Sequence, residues 1–164
     1  MKNFIILFLC LVISVQLGIR TGQAVPKDNL KNTKIYYLDR RLHRLIPISY
    51  TPKSRMKSKI AKEMVYQLCE KKTSDQILTL VPDKAEEITI KIDGTKAVID
   101  LDKSLAEILP KNCETEQLFI FQLVNSLCTI DEITSVRFTI NGKSEKDFLG
   151  FIDMREIFTP KDVI

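Results

Sequence analysis

Between Glu116 and Thr129 the chain carries a segment that leaves few folds open to it. Leu118, Phe119, Ile120, Phe121, Leu123, Val124, Leu127 and Cys128 cover nearly every side of a helix. Such a helix has no polar face to turn toward water, so it belongs at the centre of a core with other elements around it. Asn112 or Thr115 can cap its start by accepting a free N–H of the first turn. Glu114 and Glu116 suit the positive end of the helix dipole. The spacing predicts one buried helix and requires the flanking segments to cover it.

Those segments read mostly as strands. Thr33 to Leu38 is β-branched and aromatic, the polar stretch Asp39-Arg40-Arg41-Leu42-His43-Arg44 turns the chain, and Leu45 to Tyr50 returns it. Pro47 has no N–H to give to a central ladder, which places this second strand at an edge or a bulge. Residues 51–59 are basic and carry Pro52, and Ile60, Ala61, Met64, Val65 and Leu68 then recur at helical spacing, with Lys71-Lys72 suiting the helix C-terminus. Leu78 to Val81 is a short apolar stretch closed by Pro82. Glu87 to Ile92 alternates as a strand, Asp93-Gly94 marks a tight hairpin, and Ala97 to Leu101 is the partner. A weaker helical stretch covers Lys103 to Leu109. After the apolar helix come a strand at Val136 to Ile140, a turn at Asn141-Gly142 and a last extended segment from Phe148 to Phe158. The order ββαββαβ with a tail strand predicts an α+β domain, a mixed or antiparallel sheet with two main helices on one face.

Ahead of this domain, Lys2 precedes an apolar run from Phe4 to Ile19. The run falls short of the roughly 20 residues of a spanning helix. Gly22 and Ala24 stand where a cut before Val25 needs small residues. Residues 1–24 are therefore expected to be a secretory signal peptide, or, left uncut, a membrane anchor through residues 4–19. Residues 25–32 read as a tether, 33–160 as one domain and 161–164 as a tail. Cys10 sits inside the apolar run and not behind a small residue at its end, so the expectation is an extracytoplasmic protein that is not a lipoprotein.

Charge is distributed unevenly. Residues 25–62 hold eleven basic and two acidic side chains, whereas residues 63–164 hold twelve and nineteen. The two regions either neutralise each other in the fold or leave a basic face for an acidic partner. The second reading singles out Arg40, Arg41, Arg44, Pro47, Lys53, Arg55, Lys57 and Lys59 as an interaction surface, because charged faces and exposed sheet edges recruit partners. Its partner is a protein of the cell envelope, a second copy of the chain, or an acidic wall polymer or lipid. Nucleic acid is a poor fit, since export is expected and Tyr50 is the single tyrosine among the basic residues from Arg40 to Lys62, too few to interleave with them.

Cys69, Cys113 and Cys128 remain beyond the signal and allow one disulfide with a free thiol, or none, with buried, unreactive cysteines on helix faces as the default. There is no Cys-x-x-Cys, no nucleophile elbow and no phosphate loop. His43, the single histidine, falls in the basic turn. Asp100-x-Asp102-x-Ser104 begins like a calcium loop, but Leu105 stands where glycine is needed and no glutamate closes the loop. These patterns predict no metal and no cofactor, and rank an exported hydrolase below an interaction domain.

Several landmarks stand together: Ile35-Tyr36-Tyr37-Leu38-Asp39, Leu45-Ile46-Pro47-Ile48, Val81-Pro82, the Asp93-Gly94 hairpin, Val98-Ile99-Asp100-Leu101-Asp102, the helix from Glu116 to Thr129, and Val136-Arg137-Phe138-Thr139-Ile140-Asn141-Gly142-Lys143. In this order the chain, over about residues 33–160, resembles the GerMN domain of sporulation and germination proteins. The resemblance implies a fold akin to ring-building motifs, a non-enzymatic role in protein–protein contacts, and export or membrane attachment in Gram-positive bacteria. It carries no catalytic residues onto this chain. The chain has one copy of the domain and no lipoprotein cysteine, where better-known members have two copies and that cysteine. Glu70-Lys71-Lys72 replaces the helix-ending Gly-Pro common in the family.

Overall fold

The computed structural model describes residues 24–70 and 74–161. The expected signal or anchor lies outside them except for Ala24, as do Lys71-Lys72 and residues 162–164 of the tail. Along the described residues come β1 (Lys34–Asp39), β2 (Arg44–Ser49), α1 (Lys57–Cys69), β3 (Ile77–Leu78), β4 (Ile88–Asp93), β5 (Lys96–Leu101), α2 (Leu105–Ile108), α3 (Cys113–Leu127), β6 (Ser135–Ile140) and β7 (Ile157–Phe158). The fold is α+β in the ββαββαβ order, with β3 and β7 as two-residue additions. Its strands form two sheets, an antiparallel one ordered β2-β1-β3 and a mixed one ordered β4-β5-β6-β7. Among the described residues only β5 and β6 run parallel, because the chain crosses from one to the other through α2 and α3.

Turn chemistry sets the registers. Gly94, at φ +60°, is the first of two loop residues between the paired ends Asp93 and Lys96, a conformation that L side chains resist. Asn112 caps α3, its Oδ1 accepting from Thr115 N–H at 2.7 Å. α3 packs against β1, β2, β6 and α1, and α1 packs against β4. Phe119, Ile120, Leu123 and Leu127 of α3 are completely buried, together with Ile60, Met64 and Leu68 of α1 and Ile99, Leu101 and Phe138 of the mixed sheet.

The few polar residues of α3 have a distinct task. At Lys34 and Tyr36 one edge of β1 has no strand beside it, since β3 pairs only with Leu38 and Asp39. Side chains from α3 and the turn after it take that place. Ser126 Oγ accepts from Tyr36 N–H at 2.9 Å, and Gln122 Nε2 donates to the Tyr36 carbonyl at 3.0 Å. Thr129 Oγ1 accepts from Lys34 N–H at 3.0 Å and donates to the Lys34 carbonyl at 2.9 Å. Asn125 clamps the backbone of Lys161 in both directions, at 2.8 and 3.0 Å. The fully buried Glu116 accepts from the N–H groups of Leu149, Phe151 and Ile152 at 2.8, 2.8 and 3.0 Å. Buried backbone groups need partners, and at these positions of β1 and the C-terminal segment the side chains of this helix and the turn after it supply them.

Three expectations are corrected. Residues 25–32 are not a tether: Val25 is buried, its N–H donates to the Arg55 carbonyl at 2.7 Å, and Asn29 Nδ2 donates to Asp131 at 2.7 Å. The apolar Val25, with Leu30 packed against the core, outweighs the polar residues around it. The segment from Phe148 to Phe158 is mostly irregular, because Glu116 takes its N–H groups and Gly150 turns at φ +102°; only Ile157–Phe158 pairs, with Val136 and Arg137. α1 starts at Lys57, inside the basic stretch that was placed before the helix.

The cysteines divide. Cys69 is buried at the end of α1 and Cys128 half-buried after α3, and burial pushes both thiols up to about 11. Cys113, in the first turn of α3, is exposed, against the expectation of a buried thiol. A thiol-specific reagent at pH 8 is expected to modify Cys113 first and Cys69 only after unfolding; equal rates at the two would contradict the placement. The folded chain holds the Cys69 and Cys128 protons up to about 11, while an unfolded thiol loses its proton near 9. Folding stability therefore falls as pH rises from 9 toward 11.

Candidate interaction surface

β2 divides the basic residues into two groups. Arg40, Arg41 and Arg44 belong to the tip of the β1–β2 hairpin, whereas Lys53, Arg55 and Lys59 follow the other end of the strand, on the approach to α1 and its first turn. The length of β2, about 17 Å at 3.3 Å per residue, lies between them. All six side chains are exposed. Lys57 joins neither group. It is 8% exposed and ion-paired to Glu132, so it is withdrawn from the predicted surface. Its position announced this, because Lys57 lies three, four and seven residues before Ile60, Ala61 and Met64, on the apolar stripe of α1. The pair joins the basic and acidic parts of the chain, so the two regions do neutralise each other at this point.

The hairpin tip is a built loop. Asp39 Oδ1 accepts from the N–H groups of Arg41 and Leu42 at 2.8 and 3.0 Å, and Arg40 N–H donates to the Gln76 carbonyl at 2.8 Å. His43 takes a left-handed φ of +49° and is exposed. Leu42, 54% exposed, stands among the three arginines. Among the described residues no acidic side chain forms a salt bridge with Arg40, Arg41 or Arg44. Leu42 is the surface residue that the sequence reading missed; an apolar side chain at the middle of a polar hairpin turn was its signal.

Pro47 lies on the open edge of the antiparallel sheet. Its partner Tyr36 turns its N–H and C=O toward α3, which makes Tyr36–Pro47 a pair without mutual hydrogen bonds and aims the Pro47 nitrogen outward. The proline thus removes the middle donor from the outward row of β2 and blunts that edge against a further strand.

Acidic groups noted in the sequence hold the fold together. Asp100 Oδ1 accepts from Thr139 Oγ1 at 2.6 Å and Gly142 N–H at 2.7 Å. Asp102 accepts from Ser104 N–H at 2.8 Å, which lowers its pKa, and the Ser104 hydroxyl donates to Glu87 at 2.9 Å. Among the described residues no group of three or more His, Cys, Asp or Glu is arranged to hold a metal ion, and no helix is long and apolar enough to cross a membrane.

An α+β domain with a two-strand hairpin, a helix over a second hairpin, and a buried helix leading to a parallel third strand is a defined class. A family profile described as sporulation and spore germination, Germane, matches residues 34–146. The chain belongs to that family. The first GerMN domain of the Bacillus subtilis sporulation protein GerM superposes with a TM-score of 0.61 at 19% identity, over 79% of this chain and 97% of that one. The tandem GerMN domains of the same protein give a TM-score of 0.59 at 18% identity, over 77% of this chain but 45% of that chain, so this chain spans under half of the tandem structure. A Clostridium perfringens protein described as a candidate lipoprotein matches with a TM-score of 0.52 at 15% identity, over 79% and 89%. No curated protein matches the chain. These likenesses establish a GerMN-type fold.

Proposed function

We propose that this protein is a non-catalytic docking domain that works outside the cytoplasmic membrane of a Gram-positive cell, in sporulation or germination, and that the β1–β2 hairpin tip binds an acidic protein surface. One observation carries the reading: Arg40, Arg41 and Arg44 are exposed and, among the described residues, without a salt-bridge partner, around an exposed Leu42. Guanidinium groups bind carboxylates through two parallel hydrogen bonds, and an apolar side chain among them supplies an anchor that an acidic polymer would not use. Export rests on the apolar run from Phe4 to Ile19 and the small residues Gly22 and Ala24. Family membership supports the developmental setting.

The test places a photo-crosslinking amino acid at Leu42 in the full chain in living cells. It is expected to trap a protein with an acidic surface outside the membrane, and the charge reversals R40E, R41E and R44E together are expected to reduce trapping at least tenfold. Salt-sensitive binding to anionic wall polymer with no protein adduct would replace this reading by the polymer one.

A further inference from the structure

Among the described residues the two sheets have four edge strands, and three of them are protected. β3 and β7 are two residues long, and β2 carries Pro47 in an outward position. β4 is different: six residues, Ile-Thr-Ile-Lys-Ile-Asp, without proline or bulge. Its hydrogen-bonding phase follows from Asp102 N–H, which donates to the Glu87 carbonyl, and from the register Ile88↔Leu101. Residues 89, 91 and 93 exchange bonds with β5, so Ile88, Ile90 and Ile92 direct their N–H and C=O groups away from the sheet. Among the described residues nothing bonds to those groups. An unprotected row of this length is a template for another strand.

We propose that β4 pairs antiparallel with β4 of a second copy, centred on Thr89, which joins two mixed sheets into one. The charges select this occupant and this register. With Thr89 opposite Thr89, Ile88 faces Ile90 across the two-fold axis with both making ladder bonds, and Lys91 of each copy comes opposite Glu87 of the other, beside the exposed Glu86. Lys84 holds one oxygen of Glu87, at 2.9 Å, and Ser104 Oγ donates to the other at 2.9 Å, which leaves that oxygen further lone-pair capacity for the incoming lysine. Cross-strand Thr–Thr and opposite-charge pairs both stabilise antiparallel neighbours. A register shifted to centre on Ile90 would instead set Glu87 against Asp93. This contact uses the sheet edge far along the chain from the hairpin tip, so either surface can fail its test without the other.

The experiment introduces Thr89→Cys into the full chain in a Cys113→Ser background and applies a mild oxidant to intact cells. Thr89 is exposed, so the substitution spares the core. Opposed residues in a pair without mutual hydrogen bonds sit about 4.5 Å apart at Cα, within disulfide reach. The expected result is a disulfide-linked dimer at least fivefold more abundant than with Thr95→Cys, an exposed collision control in the hairpin loop, and its reduction by the charge reversal Lys91→Glu. Dimer no more abundant than the control overturns the proposal, as does a Thr89→Cys adduct to a different protein. Circular dichroism of each variant separates loss of pairing from loss of folding.

Discussion

Glu116→Ala is expected to destabilise the fold by about 4 kcal/mol, because the change strands three backbone donors at once at roughly 1–3 kcal/mol each. The carboxylate is completely buried on α3 and receives Leu149, Phe151 and Ile152 N–H groups, so it is the main attachment of the irregular C-terminal segment. Phe148, which stacks on Phe119 with ring centroids 5.5 Å apart, would lose its support with it. Glu116→Gln keeps one oxygen but turns an N–H₂ group toward a donor, and should cost about 2 kcal/mol. Against total stabilities of about 5–15 kcal/mol, the alanine variant sits near the unfolding threshold. The urea midpoint checks this, and a loss below about 1 kcal/mol for alanine would show that the loop holds without the carboxylate.

Gln122→Leu is expected to cost about 3 kcal/mol, and by a different route. Leucine approximates the volume of glutamine but cannot accept from Leu80 N–H, at 2.8 Å, or donate to the Tyr36 carbonyl, at 3.0 Å. Two backbone groups on two segments are then buried without partners. Ser126→Ala should cost about 1 kcal/mol, since one acceptor, that for Tyr36 N–H, is removed. Both side chains act on the same residue of β1, so the double variant should depart from additivity by more than about 0.5 kcal/mol. Additive losses would mean that α3 does not serve as a joint substitute for a strand.

Local chemistry made much of this fold readable. Asp93-Gly94 and Asn141-Gly142 named their turns, with Gly94, Asn141 and Gly142 all at positive φ. Pro47 announced an edge, and the apolar run from Leu118 announced the central helix. What could not be read was tertiary. Nothing near Glu116 in sequence indicates that its partners lie 33 to 36 residues further on, so the segment from Phe148 looked like a strand in want of a ladder. The same holds for Gln122, Asn125 and Ser126, which in an apolar helix look like interruptions until the open edge of β1 lies beside them. Lys57 marks a different failure. The charge run suggested surface, and the apolar stripe was begun at Ile60; carried back one turn, the same spacing reaches Lys57, which is buried beside Glu132. In the candidate surface the arginines were readable by charge alone, but their separation from Lys53, Arg55 and Lys59 needed β2 as a ruler.

The hairpin tip is the centre of the functional account, and the Leu42 crosslinking measurement tests it most directly. The crosslinker at Leu42 should trap one acidic extracytoplasmic protein, with the yield falling at least tenfold when Arg40, Arg41 and Arg44 are all made glutamate and remaining unchanged when Lys53, Arg55 and Lys59 are. No protein adduct at Leu42, or an adduct indifferent to the three arginines, would contradict it.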